Sequence, residues 1–258
     1  MDELPSKPHI PQSDDDTLEF EPRPAALVAR RAALIGAVLR RITLDLGLSE
    51  TDDLMADRFD IGAWTAAEGL PALATEQEAE ILSSPLGVLD PLTIDDASWT
   101  SEGLVALAWS LGLIDAMPPY DALADASVAL AAMPAPWDSI AQFARTAKLR
   151  PDEDLARERE RAEVWHWRSE AEFQSRESTR AERNEIQAAA REVAREAHQA
   201  SLIGPLEDHD FAAGGRPFHQ LSEDELIEMG EIAFQRLRAL NWTCGFGRAW
   251  DDVPLEIE

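Results

Sequence analysis

Cysteine is almost missing from this 258-residue chain. Cys244 stands alone, so no disulfide can close within it, and a reducing cytoplasm is the simplest setting. Long apolar runs are missing as well. The longest, Leu104 to Ile114, is interrupted by Ser110 and Gly112 and falls far short of the roughly 20 residues that cross a bilayer. Met1 to Glu21 has neither the basic start nor the apolar run of a signal peptide. Positive charge is scarce over one long stretch: between Ile42 and Ala144 there are 18 acidic residues and a single basic one, Arg58. Over the whole chain 50 Asp and Glu face 23 Lys and Arg, for a net charge of −27. Such a field repels phosphate backbones and anionic lipids, which counts against nucleic acid and membrane as partners. A basic protein would be attracted and steered. An acidic surface also serves solubility alone.

Recognisable catalytic signatures are absent too. There is no serine nucleophile elbow. Gly245-Phe246-Gly247 lacks the spacing, the lysine and the preceding strand of a phosphate loop. Cys244 sits at the end of a helical pattern, where a nucleophilic thiol finds no support. Asp14-Asp15-Asp16, Asp52-Asp53 and Asp95-Asp96 lack the spacing of a calcium loop and read as solvated carboxylates or helix caps. No metal or cofactor is expected.

What is present is a core. Hydrophobic residues make up 45% and include eight Trp, enough for one large helical domain. Residues 1–24 read as an acidic, proline-dotted tail, mobile or draped over the surface, and 25–258 as a single all-α domain. Apolar residues recur at helical spacing over Ala25 to Leu46, with Arg30, Arg31, Arg40 and Arg41 largely on the other side. A short acidic helix is expected from Ser49 through Asp52 to Phe59, and another around Glu76 to Leu82. Ser98 reads as the N-cap of a central helix over Trp99 to Ile114, apolar nearly all round. Ala122 to Met133 and Trp137 to Lys148 read as short helices. Pro151 opens a helix, or two in tandem, filling 151–200, with an elbow in the polar run Arg176 to Asn184. Gly204 to Leu221 reads as loop, and no strand series is evident. Ser222-Glu223-Asp224-Glu225 is a capping box that launches the last helix.

The C-terminal stretch Arg238-Ala239-Leu240-Asn241-Trp242, Cys244-Gly245-Phe246 and Trp250-Asp251-Asp252-Val253 resembles a bacterial family catalogued only as a domain of unknown function, number 4272. Trp99 to Pro118, Leu149-Arg150-Pro151 through Trp165-His166-Trp167, and Phe218 to Leu226 are similar to it as well. The resemblance covers roughly 25–258. The tail before Pro24 looks extra, and the polar segment 176–200 looks longer than usual. The resemblance implies a mostly helical domain and no particular reaction.

Two constellations are candidates for a site. Arg238, Asn241, Trp242, Trp250, Asp251 and Asp252 read either as a pocket (an arginine for an anion, an amide for orientation, indoles as walls) or as an ion pair pinning the C-terminus over the core. His166 has Glu163 and Glu170 at i−3 and i+4, a spacing that serves a tuned base or, more simply, a histidine satisfied by a local carboxylate; His209 and His219, in a loop, are candidates to converge with it. The leading functional expectation is a non-enzymatic protein-binding module, of the immunity or antitoxin type, that covers a basic effector. The alternative is an enzyme or small-ligand binder using the C-terminal cluster with His166. A scaffold role ranks last, because no heptad pattern is sustained.

Overall fold

The computed structural model describes residues 7–11, 19–47 and 53–256. Among them are nine α-helices: α1 Ala25–Asp45, α2 Leu54–Ala67, α3 Glu76–Ser83, α4 Pro91–Ser110, α5 Ala126–Ala131, α6 Ile140–Thr146, α7 Asp152–Glu177, α8 Arg180–Gln199 and α9 Glu223–Thr243. The chain is mostly helical and forms one compact domain. No described helix is long and apolar enough to cross a membrane.

The core is layered around α4. It packs against α1 on one side and α9 on the other, and α9 packs in turn against α7. From Gly103 to Ser110 every residue of α4 is buried, as a helix apolar all round requires. This helix begins eight residues before the expected Trp99. Asp90 accepts from the Leu92 amide at 2.8 Å, Pro91 occupies the first turn, and Ser98 lies inside the helix with its hydroxyl bonded to the Ile94 carbonyl. Gly62 sits within α2, whose N-cap is Asp53. Ser49, Asp52 and Asp14-Asp15-Asp16 lie outside the described residues. The elbow between α7 and α8 falls at Ser178-Thr179, where Thr179 and Glu182 form a capping box.

The loop 204–221 is not bare. It holds a small antiparallel sheet of β1 Leu206–Glu207, β2 Asp210–Ala213 and β3 Arg216–Pro217, in that order. Both connections are two-residue turns with positive φ at each position: Asp208 and His209, then Gly214 and Gly215. Strands this short leave no alternation to read in a sequence.

Charge is buried at five joints. Arg31, Arg41, Arg159, Arg168 and Arg236 are each at most 1% exposed. Arg31 and Arg41 were expected to face away from the core. Instead Arg31 forks onto Glu78 of α3, and Arg41 pairs with Asp45 while donating to the carbonyls of Ser84 and Pro85. The acids across the interface supply what a buried guanidinium needs. Arg168 grips Asp210 at 2.7 and 2.8 Å and holds the small sheet to α7. Burial alone would raise the Asp210 pKa, but the Arg168 fork outweighs it and holds the carboxyl below its ordinary value.

The described parts of the N-terminal tail lie against the body. Ile10 is in the core, Lys7 pairs with Glu192 at 2.5 Å, and Arg23 donates to the carbonyls of Trp242 and Gly247. Gly245, at φ 96°, stands where a Cβ would run into the Glu21 carbonyl. Gly245→Ala is therefore expected to cost about 2 kcal/mol, from left-handed strain plus the displaced 19–24 segment. Chemical denaturation measures the cost, and faster amide exchange in residues 19–24 would locate it.

Candidate functional site

The six C-terminal candidates do come together. Arg238 on α9 donates to the Trp250 carbonyl at 3.0 and 3.2 Å and approaches Asp251 at 3.3 Å. Its guanidinium lies 5.0 Å from the centre of the Trp250 ring, and Arg31 lies 4.1 Å from the same ring. Trp250 meets Trp242 edge to face at 5.5 Å. Asn241 is fully buried; it accepts from Arg159 and donates to the Pro254 carbonyl, both at 2.8 Å. Asp252 accepts from the amides of Arg248 and Ala249, closing the turn before Trp250. Each of these polar groups has a protein partner, and together they clasp residues 248–254 onto α9. Cys244, beneath the clasp, has its thiol pushed up to about 12 by burial.

His166 belongs to other surroundings. Its ring faces Phe234 at 6.2 Å, its Nδ1 is buried without a partner, and burial lowers its pKa to about 4. Glu163 is engaged by Arg159 at 2.9 Å. His219 pairs with Asp210 at 3.1 Å, and His209 is exposed at the tip of the first turn. Among the described residues no group of three or more His, Cys, Asp or Glu is arranged to hold a metal ion.

The acid-rich stretch has a second property, which composition does not reveal. Among the described residues ten large hydrophobics are exposed; nine lie between Leu46 and Trp137, and the tenth is Ile227. Met55 and Phe59 stand on α2, one turn apart, and are 67% and 65% exposed. Trp137 is 57% exposed and holds a left-handed backbone at φ 73°, which costs a bulky residue about 1–3 kcal/mol. Its neighbour fixes that turn: Asp138 accepts from the Ala135 amide at 2.9 Å, and its carbonyl accepts from the Trp64 indole at 2.8 Å. Pro136, which precedes Trp137, lines a groove of about 350 Å³ between α1, α2 and α5, with Leu44, Ile61 and Leu130 as further apolar walls and Arg40, Asp57 and Asp60 as its charged lining. Arg58, the lone cation of the stretch, donates to the carbonyls of Ser83 and Ser84.

A larger pocket, about 550 Å³, opens elsewhere, between the 117–121 loop, α7 and the 201–205 loop. Glu158, Arg161 and Trp165 line it from one stripe of α7. The chain's one tyrosine, Tyr120, donates to Glu158 at 3.0 Å. Arg161 pairs with the other carboxylate oxygen and donates through Nε to the Leu202 carbonyl at 2.8 Å. Burial raises the Glu158 pKa despite Arg161 and the tyrosine hydroxyl, and raises that of Tyr120 well above its ordinary value. None of these residues was a candidate from sequence. The i, i+3, i+7 spacing on α7 is visible there, but the loops that complete the pocket are distant in the chain.

The family described as "Domain of unknown function (DUF4272)" has a model that matches residues 3–196. The chain belongs to that family. The DUF4272 match takes in the tail that looked extra and stops before the Arg238–Val253 clasp on which the resemblance leaned most. It spans the acid-rich stretch, the α1–α2–α5 groove and the α7 wall of the larger pocket. No curated protein and no solved structure matches the chain.

Proposed function

We propose that this protein is a non-enzymatic binding module that covers a basic protein partner with the surface of α2 to α5 and the Trp137 turn. The observation that carries the proposal is the coincidence of exposed apolar side chains with acid-rich sequence: among the described residues nine of ten large exposed hydrophobics fall in the stretch that holds 18 acids and one arginine, although Asp45, Glu78 and Glu102 of those acids are paired with arginines from outside it. Exposed apolar side chains on one part of a surface mark an interaction site, and the carboxylates around them select for a cationic partner. An indole held in solvent at a strained turn has the character of an interface anchor. An immunity- or antitoxin-type inhibitor of a basic effector in a bacterial cytoplasm fits this chemistry. The alternative, a ligand site formed by Arg238, Asn241 and Asp251 with His166, has less support, because the first three are engaged in the clasp and His166 packs on Phe234.

The test is capture from native cells with the tagged full chain at low salt, run beside a Phe59→Ser/Trp137→Ser double variant and an Ile227→Ser control. One stoichiometric basic protein is expected, released by raising the salt. The double variant should bind it at least ~30-fold more weakly, since anchors of this kind contribute about 2 kcal/mol or more. The control should bind as the parent does. Binding indifferent to salt and to both anchors would refute the proposal.

A further inference from the structure

The pocket around Tyr120 and Glu158 is separate from Phe59 and Trp137, although its 117–121 wall belongs to the acid-rich stretch, and its chemistry selects a ligand. We infer that it binds a small organic cation: an amine or guanidinium carried on an apolar body. Its volume of about 550 Å³ is in the range of small-molecule sites, about 300–1,000 Å³. Three ionisable side chains with ordinary charges line it, Asp121, Glu158 and Arg161, which leaves one negative charge in excess. Arg161 is committed to Glu158 and to the Leu202 carbonyl, so it is not a free anchor for an anion. Glu158 is 4% exposed, so the cost of removing its carboxylate from water is already met by the fold, and an entering cation gains Coulomb energy without repeating it. An entering anion would meet two carboxylates.

The rest of the lining suits the body of such a ligand. Met117, Pro118, Leu202 and Ile203 are apolar, and Trp165 stands over them, stacked on Tyr120 at 5.9 Å and 12°. Arg236 already lies 4.7 Å from the centre of the Tyr120 ring, so the charge of the ligand is left to the carboxylates. Ser201 also lines the pocket. It ends α8 in the left-handed region, φ 58°, at the position where glycine or asparagine is favoured.

The experiment compares phenethylamine with 3-phenylpropionate, two probes of similar size and opposite charge, by calorimetry and ligand-observed NMR on the full chain. The amine is expected to bind at least tenfold more tightly than the carboxylate. Glu158→Gln should lower amine affinity at least tenfold, and Asp121→Asn by a smaller factor. Asp121 is half-buried at the rim, so its variant remains informative if Glu158→Gln fails to fold. The Phe59→Ser/Trp137→Ser variant should bind the amine as the parent does. Equal binding of the two probes, preference for the carboxylate, absence of amine binding, or amine affinity unchanged in both acid variants would each overturn the inference.

Discussion

Replacing Arg236 by methionine is expected to destabilise the fold by about 3–5 kcal/mol, the cost typical of orphaning one member of a buried ion pair. Arg236 is wholly buried on α9 and Glu102 is 1% exposed on α4. They meet at 2.7 Å, with a second contact from Nε at 2.9 Å. The guanidinium also donates to the carbonyls of Pro118 and Pro119 and lies 4.7 Å from the centre of the Tyr120 ring. Glu102 reaches on to the Ala124 amide at 2.8 Å. One pair thus joins the two central helices to the loop that walls the larger pocket. Methionine replaces the apolar stem but leaves the carboxylate without its cation. The double variant Arg236→Met/Glu102→Met removes both charges and should recover more than half of the loss. Guanidinium denaturation of the four members of the cycle measures this. A cost below about 1 kcal/mol for the single variant would show that the pair does not anchor the core.

The second large effect is acid lability through His166. Folding lowers its pKa from 6.5 to about 4, with burial as the cause. Between those values the unfolded chain holds a proton that the folded chain refuses. The contribution of the neutral ring to stability is therefore complete above pH 6.5 and is lost as the pH falls towards 4. A shift of that size corresponds to roughly 2–4 kcal/mol. Five carboxyls act in the opposite sense. Burial raises Glu158, Glu160, Glu163, Glu170 and Glu231, so each takes up its proton earlier in the folded state and favours folding as the pH falls. The net profile of the parent mixes the two. The difference between parent and His166→Leu isolates the histidine: stability of the parent should fall relative to the variant between pH 6.5 and 4. Parallel profiles would mean that His166 protonates freely in the folded chain.

Local signals were legible in the sequence, and distant ones were not. The capping box at Ser222, the Pro151 start and the elbow in the run Arg176 to Asn184 all rest on neighbours within a few positions, and the structure has each of them, the elbow at Ser178-Thr179. The start of α4 was misplaced because Ser98 was read as its N-cap, whereas Asp90 caps the helix and Pro91 opens it. Buried arginines were invisible for a different reason. Glu102 and Arg236 are 134 positions apart, and an arginine within a helical pattern looks solvent-facing until its carboxylate is placed. The C-terminal cluster was found from its residues, and its clasp geometry needed the carbonyls of Trp250 and Pro254, which no side-chain pattern encodes. Tyr120 was missed because its partners, Glu158 and Trp165 on α7 and Arg236 on α9, are distant in the chain.

The proposed partner surface is tested most directly by hydrogen exchange of the full chain, free and in complex with the basic protein it captures. Protection on binding is expected in α2, α5 and the 134–139 turn, and should vanish when salt releases the partner. Protection confined to α7, α8 or the C-terminal clasp, with α2 and the Trp137 turn unchanged, would contradict a partner held by the acidic, apolar-studded face.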